Sequence, residues 1–196
     1  MLFRSKRERL LWSAAACYTL LIYTTLGLVR PATEALRSRG YLSITLAVIF
    51  AVAGAGALAW VIRTKPGLRT WLALCAVAAG YAAVFPFAVM PEERIHLLQY
   101  GILALLFFFA LVERRRAFPA GGEVGGESSG PDPARPSFPV RHPALTSFLL
   151  TTAAGWGDEL LQGLHPLRYY DIRDVAFNAL AGALALSAVL IVRRSR

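Results

Sequence analysis

The chain has 196 residues, of which 56% are hydrophobic and only 17% charged, with a formal net charge of +9. Soluble domains carry about a quarter charged residues, so this composition excludes an ordinary soluble domain and predicts a polytopic membrane protein. A basic excess on a soluble chain would suggest nucleic acid, but here Lys and Arg gather at the ends of apolar runs, a membrane-topology pattern.

The first apolar run, Leu10 to Val29, follows the basic start MLFRSKRER and is expected to end at Arg30 and Pro31. No small-residue cleavage pattern follows it, so it reads as an uncleaved span rather than a secretory signal. A polar turn leads to span two, Tyr41 to Ile62, and the Pro-Gly turn at residues 63–67 leads to span three. Span three covers Trp71 to Val89, with Pro86 kinking its end. Span four covers Ile95 to Val112 and closes on Arg114, Arg115 and Arg116.

From Phe118 to Pro143 the chain is rich in Gly, Pro and Ser. Such a stretch cannot bury enough apolar surface to order itself, and it reads as a linker. The fifth apolar run, Ala144 to Gly157, is too short to cross a bilayer of about 20 helical residues. It becomes a span only if its helix continues through Asp158, Glu159 and Gln162 to near Leu164, with Pro166 as the stop. Span six begins near Asp174 and runs to Val192, before Arg193, Arg194 and Arg196.

The predicted fold is therefore an all-α integral membrane protein with six transmembrane helices and both termini cytoplasmic. In that topology most Lys and Arg lie inside, as the positive-inside rule requires. Residues 1–70 form an N-terminal pair of helices. Residues 71–192 form a four-helix core, interrupted by a flexible cytoplasmic linker at 117–143. Cys17 and Cys75 sit in apolar runs without ligand-like neighbours and read as small core residues.

The polar residues of this core fall into stripes. Glu92, His96 and Tyr100 are spaced i, i+4, i+8 on one helical face. Glu159 and Gln162 share a face at i, i+3, and Asp174, Asn178 and Gly182 repeat the i, i+4, i+8 spacing. The topology brings all three stripes to the extracytoplasmic leaflet. Polar groups inside a membrane are costly, and by default they mark a functional site. Asp158 and Glu159 diverge by about 100° on a helix, so only one is expected to face this site. His165 and Asp171 read as peripheral.

The same residues carry a resemblance. E-x-x-x-H-x-x-x-Y at Glu92, His96 and Tyr100 is joined by E-x-x-Q-x-x-x-P-x-R at Glu159, Gln162, Pro166 and Arg168. D-x-x-x-N-x-x-x-G follows at Asp174, Asn178 and Gly182. In order and spacing these resemble the motifs of the VanZ-like membrane protein family, over roughly residues 71–192. The resemblance implies a cell-envelope role in the cell membrane and a link to teicoplanin resistance. It favours Glu159 over Asp158 as the residue facing the site.

Two readings follow, one a binding protein and the other an enzyme. In the first, the site takes the polar head of a membrane lipid or lipid-linked saccharide, with Arg168 gripping an anion. Tyr100, Gln162, Asp174 and Asn178 complete the contacts. In the second, Glu159 is general acid or base, His96 its partner and Glu92 the group orienting the histidine, acting as a hydrolase or transferase on a glycolipid. A transporter fits less well, because the charged stripes do not continue to the cytoplasmic side. No metal and no cofactor are expected, since one histidine among carboxylates falls short of the usual zinc donor set.

Overall fold

The computed structural model describes residues 5–88, 91–117, 141–164 and 170–195, with the side chains of residues 26, 30, 91, 92 and 117 outside that set. The described residues form six α-helices and one 3₁₀ turn, without strands. The helices are α1 (Lys6–Ser38), α2 (Leu42–Arg63), α3 (Leu68–Val84), α4 (Pro91–Ala117), α5 (Pro143–Gly163) and α6 (Ile172–Arg194). Four of these, α2, α3 with its 3₁₀ extension, α4 and α6, are long and apolar enough to cross a membrane; α1 makes five if its bent halves form one span. Of the predicted linker at 117–143, residues 118–140 lie outside the described residues, while Ala117 ends α4 and Pro143 begins α5.

Local sequence sets the ends of these helices. Ser5 caps α1 by accepting from the Glu8 N–H at 2.9 Å, the acceptor half of an S-x-x-E start. The helix does not stop at Pro31 as expected but runs on to Ser38. Pro31 bends it instead. Its ring crowds the carbonyl four residues back, at Gly27, and the segments Lys6–Thr25 and Gly27–Ser38 meet at 52°. The true stop is Gly40, at φ +75°. There the Gly40 N–H reaches Arg37 O at 3.0 Å and the Tyr41 N–H reaches Leu36 O at 2.9 Å, a Schellman closure that needs a residue comfortable in the left-handed region.

Pro86 ends α3 in the 3₁₀ turn Phe85–Phe87. Arg94 of α4 secures that turn, donating from Nε to Ala88 O at 3.0 Å and laying its guanidinium 4.9 Å from the centre of the Phe85 ring. At the other end of the chain, Asp171 caps α6, its carboxylate accepting from the Arg173 N–H at 2.8 Å.

Helix α4 is the hub. It packs against α1, α5 and α6, while α3 leans on α6 and α2 touches little beyond α1. One apolar cluster joins Ile22, Leu97, Tyr100, Leu103 and Ala181. A second joins Ala104, Phe108, Leu186 and Val189 farther along the same helices. Between helices whose outer faces are as apolar as lipid, association depends on close packing and hydrogen bonds rather than hydrophobic burial.

Both are present. Ser147 donates to Ala104 O at 2.6 Å, Tyr81 to Ala181 O at 2.9 Å and Tyr23 to Ala154 O at 2.7 Å. These join α5 to α4, α3 to α6 and α1 to α5. Tyr23→Phe removes one such bond while leaving its acceptor in the α5 helix ladder. Detergent unfolding should show a loss of about 1 kcal/mol.

Small residues set the approach. A Cβ at Gly182 would lie 3.2 Å from the Thr151 methyl and 3.5 Å from Ala104 Cβ, and one at Gly155 would lie 2.9 Å from Asn178 Cβ. Glycine is required at 155 by proximity, not by backbone angle. The outer face of α2 is covered by Ile44, Val48, Val52, Leu58 and Ile62, all exposed, as lipid contact demands.

Candidate functional site

The fifth helix carries the determining pattern. Its buried residues include Ser147, Thr151, Gly155, Asp158, Glu159 and Gln162. At about 100° per residue they occupy a stripe roughly 120° wide. Asp158 falls near one edge of the stripe, Glu159 at the other and Gln162 between them. The expectation that only one of the two carboxylates faces inward is therefore overturned. Adjacent residues diverge, but a stripe this wide accepts both, and both are fully buried.

Gln162 joins the two carboxylates. Its Nε2 donates to Glu159 Oε1 at 3.0 Å and lies 3.4 Å from Asp158 Oδ2. The second oxygen of Glu159 accepts from the Asp171 N–H at 3.3 Å. Asp171 is the N-cap of α6, so Glu159 ties the end of α5 to a helix start whose free N–H groups and dipole favour an anion. Asp171 contributes through its backbone, a role that side-chain motifs cannot reveal.

Helix α4 supplies the facing wall. His96 Nδ1 lies 3.8 Å from Asp158 Oδ2, too long for a hydrogen bond but close enough for strong electrostatic coupling in a dry interior. Tyr100, one turn along, meets the imidazole edge-on with ring centres 5.9 Å apart. Its hydroxyl is fully buried and close to the Asp158 carboxylate. One donor atom from each of His96, Asp158 and Glu159 can be chosen so that all three lie within 4.8 Å of one another.

Helix α6 closes the cluster with Asn178, which is fully buried. Its amide nitrogen lies 3.3 Å from the point where a Gly155 Cβ would stand, and Tyr100 Cε1 lies 3.4 Å from that point. Neither the amide nitrogen nor the amide oxygen of Asn178 has a hydrogen-bond partner among the described residues. Asp174 stands half-buried in the first turn of α6.

Of the sequence-predicted residues, the structure thus gathers His96, Tyr100, Glu159, Gln162 and Asn178 at the meeting of α4, α5 and α6. The Glu92 side chain, His165, Pro166 and Arg168 lie outside the described residues. Besides the Asp171 backbone, two contributors are missing from the sequence reading. Asp158 was recoverable from the small and polar stripe beginning at Ser147. Tyr23, which supports α5 from α1, sits in an apolar run with nothing to mark it. Against this geometry, no protein-family model, curated protein or solved structure matches the chain.

Proposed function

We propose that this is a six-span protein of the cell membrane, VanZ-like in its motifs, whose polar cluster recognises the head of a lipid-linked or cell-wall-related molecule. The observation that carries this reading is the full burial of Asp158 and Glu159 beside His96 in an otherwise apolar bundle. A buried ionic network contributes little net stability compared with well-packed apolar side chains. Its presence in a membrane helix is better accounted for by a task.

The distribution of charge supports an orientation with both termini cytoplasmic. The clusters Arg7 with Arg9, Arg63 with Lys65, Arg114 to Arg116 and Arg193 with Arg194 then share one side, and the polar site faces the other. In this reading α5 also spans and completes the six, its apolarity interrupted only where it enters the site.

A lipid is favoured over a free solute by the surface next to the cluster. Leu149, Thr152, Ala153 and Trp156 of α5, with Tyr170, Ile172 and Val175, line an open groove of about 320 Å³. The groove is almost wholly apolar and could hold an acyl chain. Its lining includes Tyr170, the chain neighbour of Asp171, whose N–H contacts Glu159. Arg168, three residues before Asp171, would supply the grip on an anionic head.

The test is native mass spectrometry of the purified protein against envelope lipids with anionic or glycosylated heads, with phosphatidylcholine as the reference. One polar-headed lipid retained per chain in preference to the reference is the expected result. Equal retention of all lipids would defeat the reading. The cellular counterpart is increased teicoplanin tolerance in a host expressing the protein.

The close approach of His96 to Asp158, with Glu159 beside them, also favours a second reading as a membrane hydrolase or transferase. The trio has the elements of general acid–base chemistry. A mass-shifted lipid product in the same experiment would distinguish catalysis from binding.

A further inference from the structure

We propose that His96, Asp158 and Glu159 form a binding site for a divalent transition-metal ion. The lipid reading does not enter this inference.

The first support is geometric. Ligands held about 2.1 Å from one ion lie at most about 4.2 Å apart. The 3.8 Å between His96 Nδ1 and Asp158 Oδ2 falls inside that limit. The widest separation within the three-atom set, 4.8 Å, requires a contraction of under about 1 Å.

The second is chemical. One imidazole nitrogen with two carboxylate oxygens suits Zn²⁺, Mn²⁺ or Fe²⁺, which accept mixed nitrogen and oxygen ligands. The sequence expectation of no metal rests on the single histidine among carboxylates, fewer nitrogen or sulfur donors than zinc sites usually have. Three protein ligands with an open position are the pattern of sites that also bind water or substrate. Two carboxylates on one short stretch of helix place negative charge where a cation would sit, and Gln162 orients both from between them.

A third observation is independent of the ligand trio. The Asn178 amide is fully buried beside Tyr100, and neither its nitrogen nor its oxygen has a hydrogen-bond partner among the described residues. Buried polar groups of this kind are uncommon and ask for a partner. A partly hydrated ion supplies one, because its remaining ligands are polar and ordered.

The apparatus that holds the trio also fits the role. Glu159 is braced by the α6 backbone at Asp171, and His96 is braced by the Tyr100 ring. Metal ligands are ordinarily fixed by such outer contacts.

The test uses the full chain carrying a non-histidine affinity tag, purified in detergent and stripped with a chelator. It is then titrated with Zn²⁺ and, separately, Mn²⁺. Bound metal is measured after desalting by elemental mass spectrometry, and the thermal unfolding midpoint is recorded in parallel. Substitution with Co²⁺ adds a visible spectrum that reports nitrogen ligation.

The expected result is one ion per chain, a raised midpoint, and at least about a tenfold loss of affinity in both His96→Gln and Glu159→Gln. Glu113→Gln, at the opposite end of α4 beside Arg7 and Arg116, should bind as the wild type does. Failure of the folded wild type to retain either ion would overturn the proposal. So would retention unchanged in both variants, which would place the metal elsewhere.

Discussion

Asp158→Leu should lower the unfolding free energy by about 1–3 kcal/mol, the cost of leaving buried polar groups without a partner. Asp158 is fully buried between His96 and Gln162. Replacing it with an apolar group leaves the imidazole facing hydrocarbon and takes an acceptor from the Gln162 amide. The double variant His96→Leu with Asp158→Leu should recover much of that loss, because two apolar side chains of similar size can pack where the polar pair stood. The measurement is chemical or thermal unfolding in detergent of the wild type, the two single variants and the double variant. Recovery in the double variant would mean that the pair is not retained for stability. Additive losses would mean that the two side chains stabilise the bundle independently, without coupling between them.

The second large effect is expected at Gly155. Here α5 and α6 approach so closely that even a methyl group would stand 2.9 Å from Asn178 Cβ and 3.4 Å from Tyr100 Cε1. Both neighbours belong to rigid, fully buried side chains, so neither can swing aside into solvent. Gly155→Ala should destabilise the bundle by about 1 kcal/mol and Gly155→Leu by about 3 kcal/mol or more, in the range and upper tail of overpacking effects. The larger change should also separate the ends of α5 and α6, disturbing the cluster one turn away at Glu159. Gly54 and Gly56 of α2, where an added Cβ meets nothing within 4 Å, provide the matched controls and should tolerate alanine with little change.

Much of this architecture can be read from the chain because lipid imposes simple rules. Runs of about 20 apolar residues become helices, and the boundaries of α2, α4 and α6 fall within a few residues of the apolar runs. The polar continuation of α5 was also legible. The apolar run has 14 residues, and the helix carries Asp158, Glu159 and Gln162 onward before it ends at Gly163.

Pro31 was misread because a proline can bend a helix as well as end one, and the choice depends on what packs around it. The left-handed Gly40 was the stronger stop signal. Asp158 was set aside because a single angular difference was applied without the width of the buried face. Tyr23 could not have been found, since a tyrosine that donates across 131 residues of sequence looks like any other aromatic in an apolar run. The convergence of donor atoms on one point depends on helix rotation and tilt, which spacing along one helix does not encode.

The central claim is that the buried cluster exists to bind something. Glu159→Gln tests it most directly, because the substitution preserves shape and retains an oxygen able to accept from Asp171. The wild type and this variant should be purified identically, and each examined for its unfolding midpoint and for lipid retained in native mass spectrometry. The account predicts midpoints within a few degrees, as expected for about 1 kcal/mol lost with a hydrogen bond, and at least a tenfold fall in retained polar-headed lipid. A folded variant that retains as much lipid as the wild type would contradict it.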